Sequence, residues 1–153
     1  MDSKIAALWG RDWVLSLPLI AATVAIHVLG LGLAYRGLSL VLAGNRKDRP
    51  ALGVPALIIG GLALFAAILH GLEGSIWAAV YILIGALPDK RSAMLYSVGA
   101  MTTYGKADVY LDSRWQLMGP LEALDGWILF GLTTAFLLAI IQNIWNNPNR
   151  HSL

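Results

Sequence analysis

The chain has no cysteine in its 153 residues. That excludes a disulfide framework, a thiolate nucleophile and a cysteine-held iron–sulfur cluster. Charge is also scarce: 13% of the residues are Asp, Glu, Lys or Arg, against about a quarter in soluble domains. The net charge is only +2 and its bases are scattered, so no basic face is offered to nucleic acid. What fills the chain instead is apolar. Hydrophobic residues make up 58% and the mean hydropathy is +0.67. An all-α integral membrane protein of one domain follows, with lipid as its solvent.

Three stretches are long enough to span a bilayer, which takes roughly 20 apolar residues. The first is read from Trp13 to Tyr35, with continuation to Ala43 open. Arg11, Asp12 and Trp13 suit one interface, and Tyr35 and Arg36 the other. It is long enough to span and lacks the small-residue cleavage site of a signal peptide. The second runs from Pro55 to Leu87 and the third from Gly119 to Trp145. Gly44 to Pro50 forms a polar loop between the first two, and Asn146-Asn147-Pro148 ends the third. Arg46, Lys47 and Arg49 in that loop favour a cytoplasmic position for it. The N-terminus is then outside and the C-terminus in the cytoplasm of a multi-pass inner or plasma membrane protein.

Between the second and third spans, Ser92 to Thr102 is too short to cross but reads as a helix. Asp89 or Ser92 suits its N-cap. Polar sequence follows through Asp112-Ser113-Arg114. A short helix leading into a Thr- and Gly-containing loop describes two things equally well. One is an ordinary loop outside the membrane. The other is a re-entrant segment, tolerated at membrane depth only inside protein or around water.

That loop is Thr102-Thr103-Tyr104-Gly105-Lys106-Ala107-Asp108. It resembles the selectivity filter of potassium channels, T-T-V-G-Y-G-D, altered at three of seven places. Further matching runs are His70-Gly71-Leu72-Glu73, Ile76-Trp77-Ala78, Gly85-Ala86-Leu87, Gly119 to Gly126 and Phe130 to Leu137. Together they resemble the small bacterial potassium-channel-like proteins of the two-helix pore superfamily. The resemblance covers about half the chain, with an extra N-terminal helix. It implies a homotetramer of three-span protomers, each with a re-entrant pore helix and filter loop. It also implies a division into residues 1–52 (first helix and loop), 53–148 (pore module) and 149–153 (tail). No enzymatic activity, cofactor or metal is implied; membrane lipid and a permeant monovalent cation are.

Such a filter replaces an ion's water shell with backbone carbonyls and a ring of Thr hydroxyls. The resemblance gives these inner sites to Thr103 and Gly105. Ala107 takes the place of a glycine, and a left-handed L-residue costs roughly 1–2 kcal/mol. Lys106 takes the place of a tyrosine. It either stays behind the filter, paired with Asp108, Glu122 or Asp125, or turns toward the axis. At ~6 Å and an effective dielectric of ~20, each inward charge repels a cation by about 3 kcal/mol. The nearby acids favour the paired position. Cation permeation with weak or altered selectivity is the expectation, with a non-conducting assembly or binding scaffold as the alternative.

Other polar residues stand inside the spans. His70 and Glu73 lie three apart on one helix face. They read as a proton-sensitive pair, as part of a metal or haem site with His27, or as a satisfied polar contact between helices; the last is favoured, because one His-x-x-Glu is a weak metal signal. Trp77 and Tyr81 read as packing residues. Gly131, in the middle of the last span, reads equally as a gating hinge or as a close-packing position.

Overall fold

A computed structural model describes residues 3–44, 53–105 and 108–145. They form four helices: α1 (Ser3–Gly44), α2 (Gly53–Leu83), α3 (Lys90–Met101) and α4 (Met118–Trp145). One 3₁₀ turn, Ser113–Trp115, precedes α4. Among the described residues no strand forms. Three helices hold segments long and apolar enough to cross a membrane: Gly10–Leu40, Gly53–Leu83 and Met118–Ile144. At about 1.5 Å per residue each exceeds a hydrocarbon core of about 30 Å.

The chain is therefore an all-helical, multi-pass membrane protein, and its polarity is inverted accordingly. Among the described residues of α1 the most buried are Asp12, Ser16, Thr23 and His27, followed by Leu31. The spacing of the four polar residues, four, seven and four, keeps them on one face. Val14, Leu29 and Leu33 point outward instead, and each is about two-thirds exposed (70%, 68% and 66%). In water this arrangement would be unstable; in lipid the apolar face needs no cover.

Contacts fix the directions of the helices. Asp12 meets the backbone of Leu117, Thr23 meets Asp125, and His27 meets Thr133. Numbers on α1 and α4 rise together, so these two helices are parallel. Trp77 meets Asp125 and Tyr81 meets Glu122, so α2 runs against them.

The second span ends at Leu83, four residues before the sequence suggested. Gly85 supplies the reason. It holds φ at +67°, its N–H bonds to Ile82 O at 3.1 Å, and the Ala86 N–H bonds to Tyr81 O at 2.8 Å. This glycine-centred closure satisfies the last carbonyls and stops the helix.

α3 starts two residues earlier than predicted, capped by the Asp89 carboxylate, which accepts from the Ser92 N–H at 2.9 Å. Its 12 residues are about 18 Å long, too short to span. The helix packs on both α2 and α4. Its C-terminal turn lies against Gly126, where an added Cβ would stand 2.8 Å from Met101 Cα. Glycine there admits a backbone that any side chain would push away. The chain then returns, and the Asp112 N–H bonds to Ala86 O at 3.1 Å. Residues 87–111 thus leave and rejoin the fold at one level. The core beside this return comprises Trp77, Tyr81, Ala93, Leu111, Trp115 and Met118 among others.

Candidate functional site

Two groups of polar residues stand out, one at the tip of the hairpin and one inside the bundle. At the tip, Thr102 ends α3 and its hydroxyl donates to Val98 O at 2.7 Å. Thr103 and Gly105 have φ of +55° and +61°, and the Gly105 N–H reaches back to Gly99 O at 3.1 Å. Thr103 carries a left-handed backbone without being glycine, which costs roughly 1–2 kcal/mol. Left-handed conformations thus alternate over Thr103, Tyr104 and Gly105. Thr102 to Gly105 and Asp108 are exposed, Tyr104 by 87%. Lys106 and Ala107 lie outside the described residues.

Beside the tip, Met101, Thr102, Trp127, Phe130, Gly131 and Thr134 line an open groove of about 310 Å³. A Cβ at Gly131 would touch nothing within 4 Å. Among the described residues nothing packs closely at Gly131, and α4 passes through it unbroken.

The interior group is built on α1, α2 and α4, with Ser97 joining from α3. It falls into levels along the bundle. Nearest the α4 start, Asp12 accepts the Leu117 N–H at 3.1 Å. Arg11 stacks on the Trp115 ring at 4.5 Å, a cation–π contact at this end of the bundle. One level deeper, the Tyr81 hydroxyl donates to Glu122 at 2.6 Å, and the Ser97 hydroxyl lies between Glu122 and Gly74 O. Next, Thr23 and the Trp77 indole donate to Asp125 Oδ2 at 2.7 and 2.9 Å. Glu122 and Asp125, read from sequence as partners for Lys106, are thus engaged by buried donors.

The deepest level holds His27, His70, Glu73 and Thr133. His27 Nδ1 lies 2.8 Å from Glu73 Oε1, and its Nε2 lies 3.0 Å from the Thr133 hydroxyl. That hydroxyl is 3.2 Å from His70 Nε2. His70 Nδ1 in turn is 3.2 Å from Glu73 Oε2, although the two are not aligned as a hydrogen bond. The four groups close a ring. His27 and Glu73 are fully buried, and the Phe130 ring covers His70 with centroids 4.3 Å apart. Ionisable groups inside a membrane are costly and mark function or mutual pairing; here pairing extends beyond His70 and Glu73 to all three spanning helices.

Donor atoms of His27, His70 and Glu73 lie within 4.8 Å of one another. The two imidazoles are stacked, with centroids 5.0 Å apart and planes 29° apart. Both Nε2 atoms meet the Thr133 hydroxyl, so these donors are already turned to protein partners. Each Nδ1 faces its own oxygen of one carboxylate.

Sequence reasoning found His70 and Glu73 and named His27 only in a metal reading. It missed Asp12, Ser16, Thr23 and Ser97 as interior groups, and Thr133 as the hydroxyl shared by both imidazoles. It took Trp77 and Tyr81 as packing residues; both do pack, and both also donate to buried acids. The available signal was the one-face spacing of the polar residues in α1, set in an otherwise apolar span. Comparison with known proteins gives no matching family model, no matching curated protein and no matching solved structure.

Proposed function

We propose that this chain is the protomer of a potassium-channel-like, homotetrameric cation pore, with its path along Thr103 to Asp108. The observation that carries this reading is the hairpin between Ala86 and Asp112, which enters on a short helix and rejoins the fold where it left. Its tip bears the Thr-Thr-Tyr-Gly run, exposed in the single chain and left-handed at Thr103 and Gly105. Several copies around an axis would place these tips together, each at the negative C-terminal end of an α3 dipole. That field favours cations. The groove beside Gly131 would then belong to a central cavity or to the contact between copies.

The outer half of the path, Lys106 and Ala107, departs from a potassium filter in charge and backbone freedom. The reading is therefore of a cation pore with weak or altered selectivity. The basic loop from Arg46 to Arg49 supports an outside N-terminus, with the hairpin on the same side, because α1 and α4 are parallel.

Purified protein in liposomes tests this. Potassium and sodium flux with little chloride flux is expected, together with a tetrameric mass in detergent. Chloride selectivity overturns the cation reading. An assembled tetramer without flux, unrescued by Lys106→Tyr with Ala107→Gly, points to a non-conducting scaffold.

A further inference from the structure

The deepest level of the bundle brings three metal-binding side chains together. One ligand atom from each of His27, His70 and Glu73 lies within 4.8 Å of the other two. Ligand atoms that share one ion at about 2.0–2.2 Å stand roughly 3 Å apart. His27 Nδ1 lies 2.8 Å from Glu73 Oε1, and His70 Nδ1 lies 3.2 Å from Glu73 Oε2. Both separations match those of ligands on a common ion, with the carboxylate set between two imidazoles.

A hydrogen bond accounts for the first of these contacts but not for the second. His70 Nδ1 and Glu73 Oε2 are buried and have no hydrogen-bond partner among the described residues. They stand close without being aligned on each other. A nitrogen and an oxygen bound to one ion do the same, because each directs its lone pair at the ion and not along the line between them. Buried polar atoms without a partner are rare, and here two of them are of the kinds that ligate metals.

We infer that His27 Nδ1, His70 Nδ1 and the Glu73 carboxylate form a binding site for one divalent transition metal, with Zn²⁺ as the fitting ion. Two imidazoles and one carboxylate are a zinc donor set that leaves a further position for water. The nitrogens disfavour Mg²⁺ and Ca²⁺, which take oxygen ligands. The outer contacts suit the ion as well. A ligating imidazole donates its other N–H to an oxygen, which fixes its tautomer and orientation. Thr133 Oγ1 lies 3.0 Å from His27 Nε2 and 3.2 Å from His70 Nε2, and a hydroxyl oxygen has two lone pairs for two such donors.

Charge and access are also provided for. Asp125 lies within electrostatic reach of Glu73 and His27, and it accepts from Thr23 and Trp77. Its carboxylate and that of Glu73 oppose the double charge of the ion, which a bilayer interior would otherwise penalise. The His70 side chain is 12% exposed. The Phe130 ring that covers it also lines the open groove beside the hairpin tip, so the way in passes Phe130. A bound ion ties α1 to α2, and Thr133 extends the tie to α4. The inference does not rest on ion conduction, and its test reads no flux.

The test is the zinc content of the full chain in detergent, by elemental mass spectrometry after chelation, reloading with Zn²⁺ and dialysis. His151→Gln serves as the background, with any tag removed, so that His27 and His70 are the only histidines. One Zn²⁺ per chain is expected. Glu73→Gln and His70→Gln should each weaken binding at least about tenfold. Thr133→Val keeps all three ligands and should weaken it by about 10- to 100-fold, as loss of an outer partner does. No zinc in the background protein overturns the inference. So does zinc held equally well by either ligand variant. If a variant does not fold, Cu²⁺, which such sites bind at least as tightly, decides on the background protein alone. Its electron paramagnetic resonance should show coupling to two imidazole nitrogens, and coupling to fewer overturns the inference.

Discussion

The bundle interior and the hairpin tip solve opposite problems. Inside, Glu122, Asp125, Glu73 and His27 are fully buried, and each has at least one hydrogen-bond partner supplied by another helix. At the tip, Thr103, Tyr104 and Gly105 are exposed and hold strained or glycine-dependent backbone. The interior contacts are made within one chain. On the proposed reading, the tip acquires neighbours when copies assemble. Stability and function should therefore separate: interior substitutions act on the protomer, and tip substitutions act on what the assembly does.

The largest effect on this comparison comes at the point where the two regions touch. Gly126→Val places a side chain into the Met101 backbone, which already lies within 2.8 Å of the added Cβ. Backbone cannot move aside as a flexible side chain can, so the cost reaches or exceeds the ~1–3 kcal/mol of ordinary overpacking. α3 should lose its seat on α4. The expected outcome is loss of monodisperse protein on size-exclusion chromatography, or a protomer whose tip becomes protease-sensitive. A well-behaved variant with an unchanged Tm would mean that α3 is not held where this contact places it.

How far the two regions were legible in the sequence follows from the same division. Span number and approximate limits were legible because lipid demands long apolar runs, and nothing in tertiary packing can hide them. The end of α2 was misplaced because Leu83 to Leu87 continues the apolar run; the stop is a backbone event at Gly85, which hydropathy does not register. The interior network was only half legible. His70 and Glu73 share a helix face by simple spacing, but their link to His27 and Thr133 depends on which helix packs where. Trp77 and Tyr81 looked like core because their rings are core; only the partner helix shows that indole and hydroxyl also serve Asp125 and Glu122. At the tip, the Thr-Thr-Tyr-Gly run was legible by resemblance, whereas the left-handed turn at Thr103 was not, because a β-branched residue argues against it.

A paired substitution sharpens the comparison at intermediate size. Tyr81→Phe removes the hydroxyl that donates to Glu122 at 2.6 Å in a buried setting. The ring still packs, so the loss isolates the hydrogen bond and should cost about 1–3 kcal/mol. Tyr104→Phe removes a hydroxyl from a residue 87% exposed in the chain. Its effect on protomer stability should stay within about 0.5 kcal/mol, as for ordinary surface changes. Chemical denaturation in detergent measures both. If the two variants lose similar stability, the tip is as integral to the single chain as the interior, and the division fails.

The smallest effect concerns the entry to α3. The Asp89 carboxylate accepts the Ser92 N–H at 2.9 Å, and these hydrogen bonds hold its pKa below the usual carboxylate value. A carboxyl depressed in the folded state adds stability above its unfolded pKa and loses it as pH falls through the folded one. The cap contribution should therefore be constant from neutral pH down to mildly acid conditions and fade only below about pH 4. Asp89→Asn keeps a cap of similar quality but has no proton to gain. Its Tm should match the wild type near neutrality, and the wild-type loss on acidification should be slightly greater. Because Asp89 lies outside the spanning helices and fully at the surface, added salt should shrink even this difference. A salt-insensitive gap between the two proteins would show instead that the α3 entry is shielded, as part of a larger buried surface formed between copies of the chain.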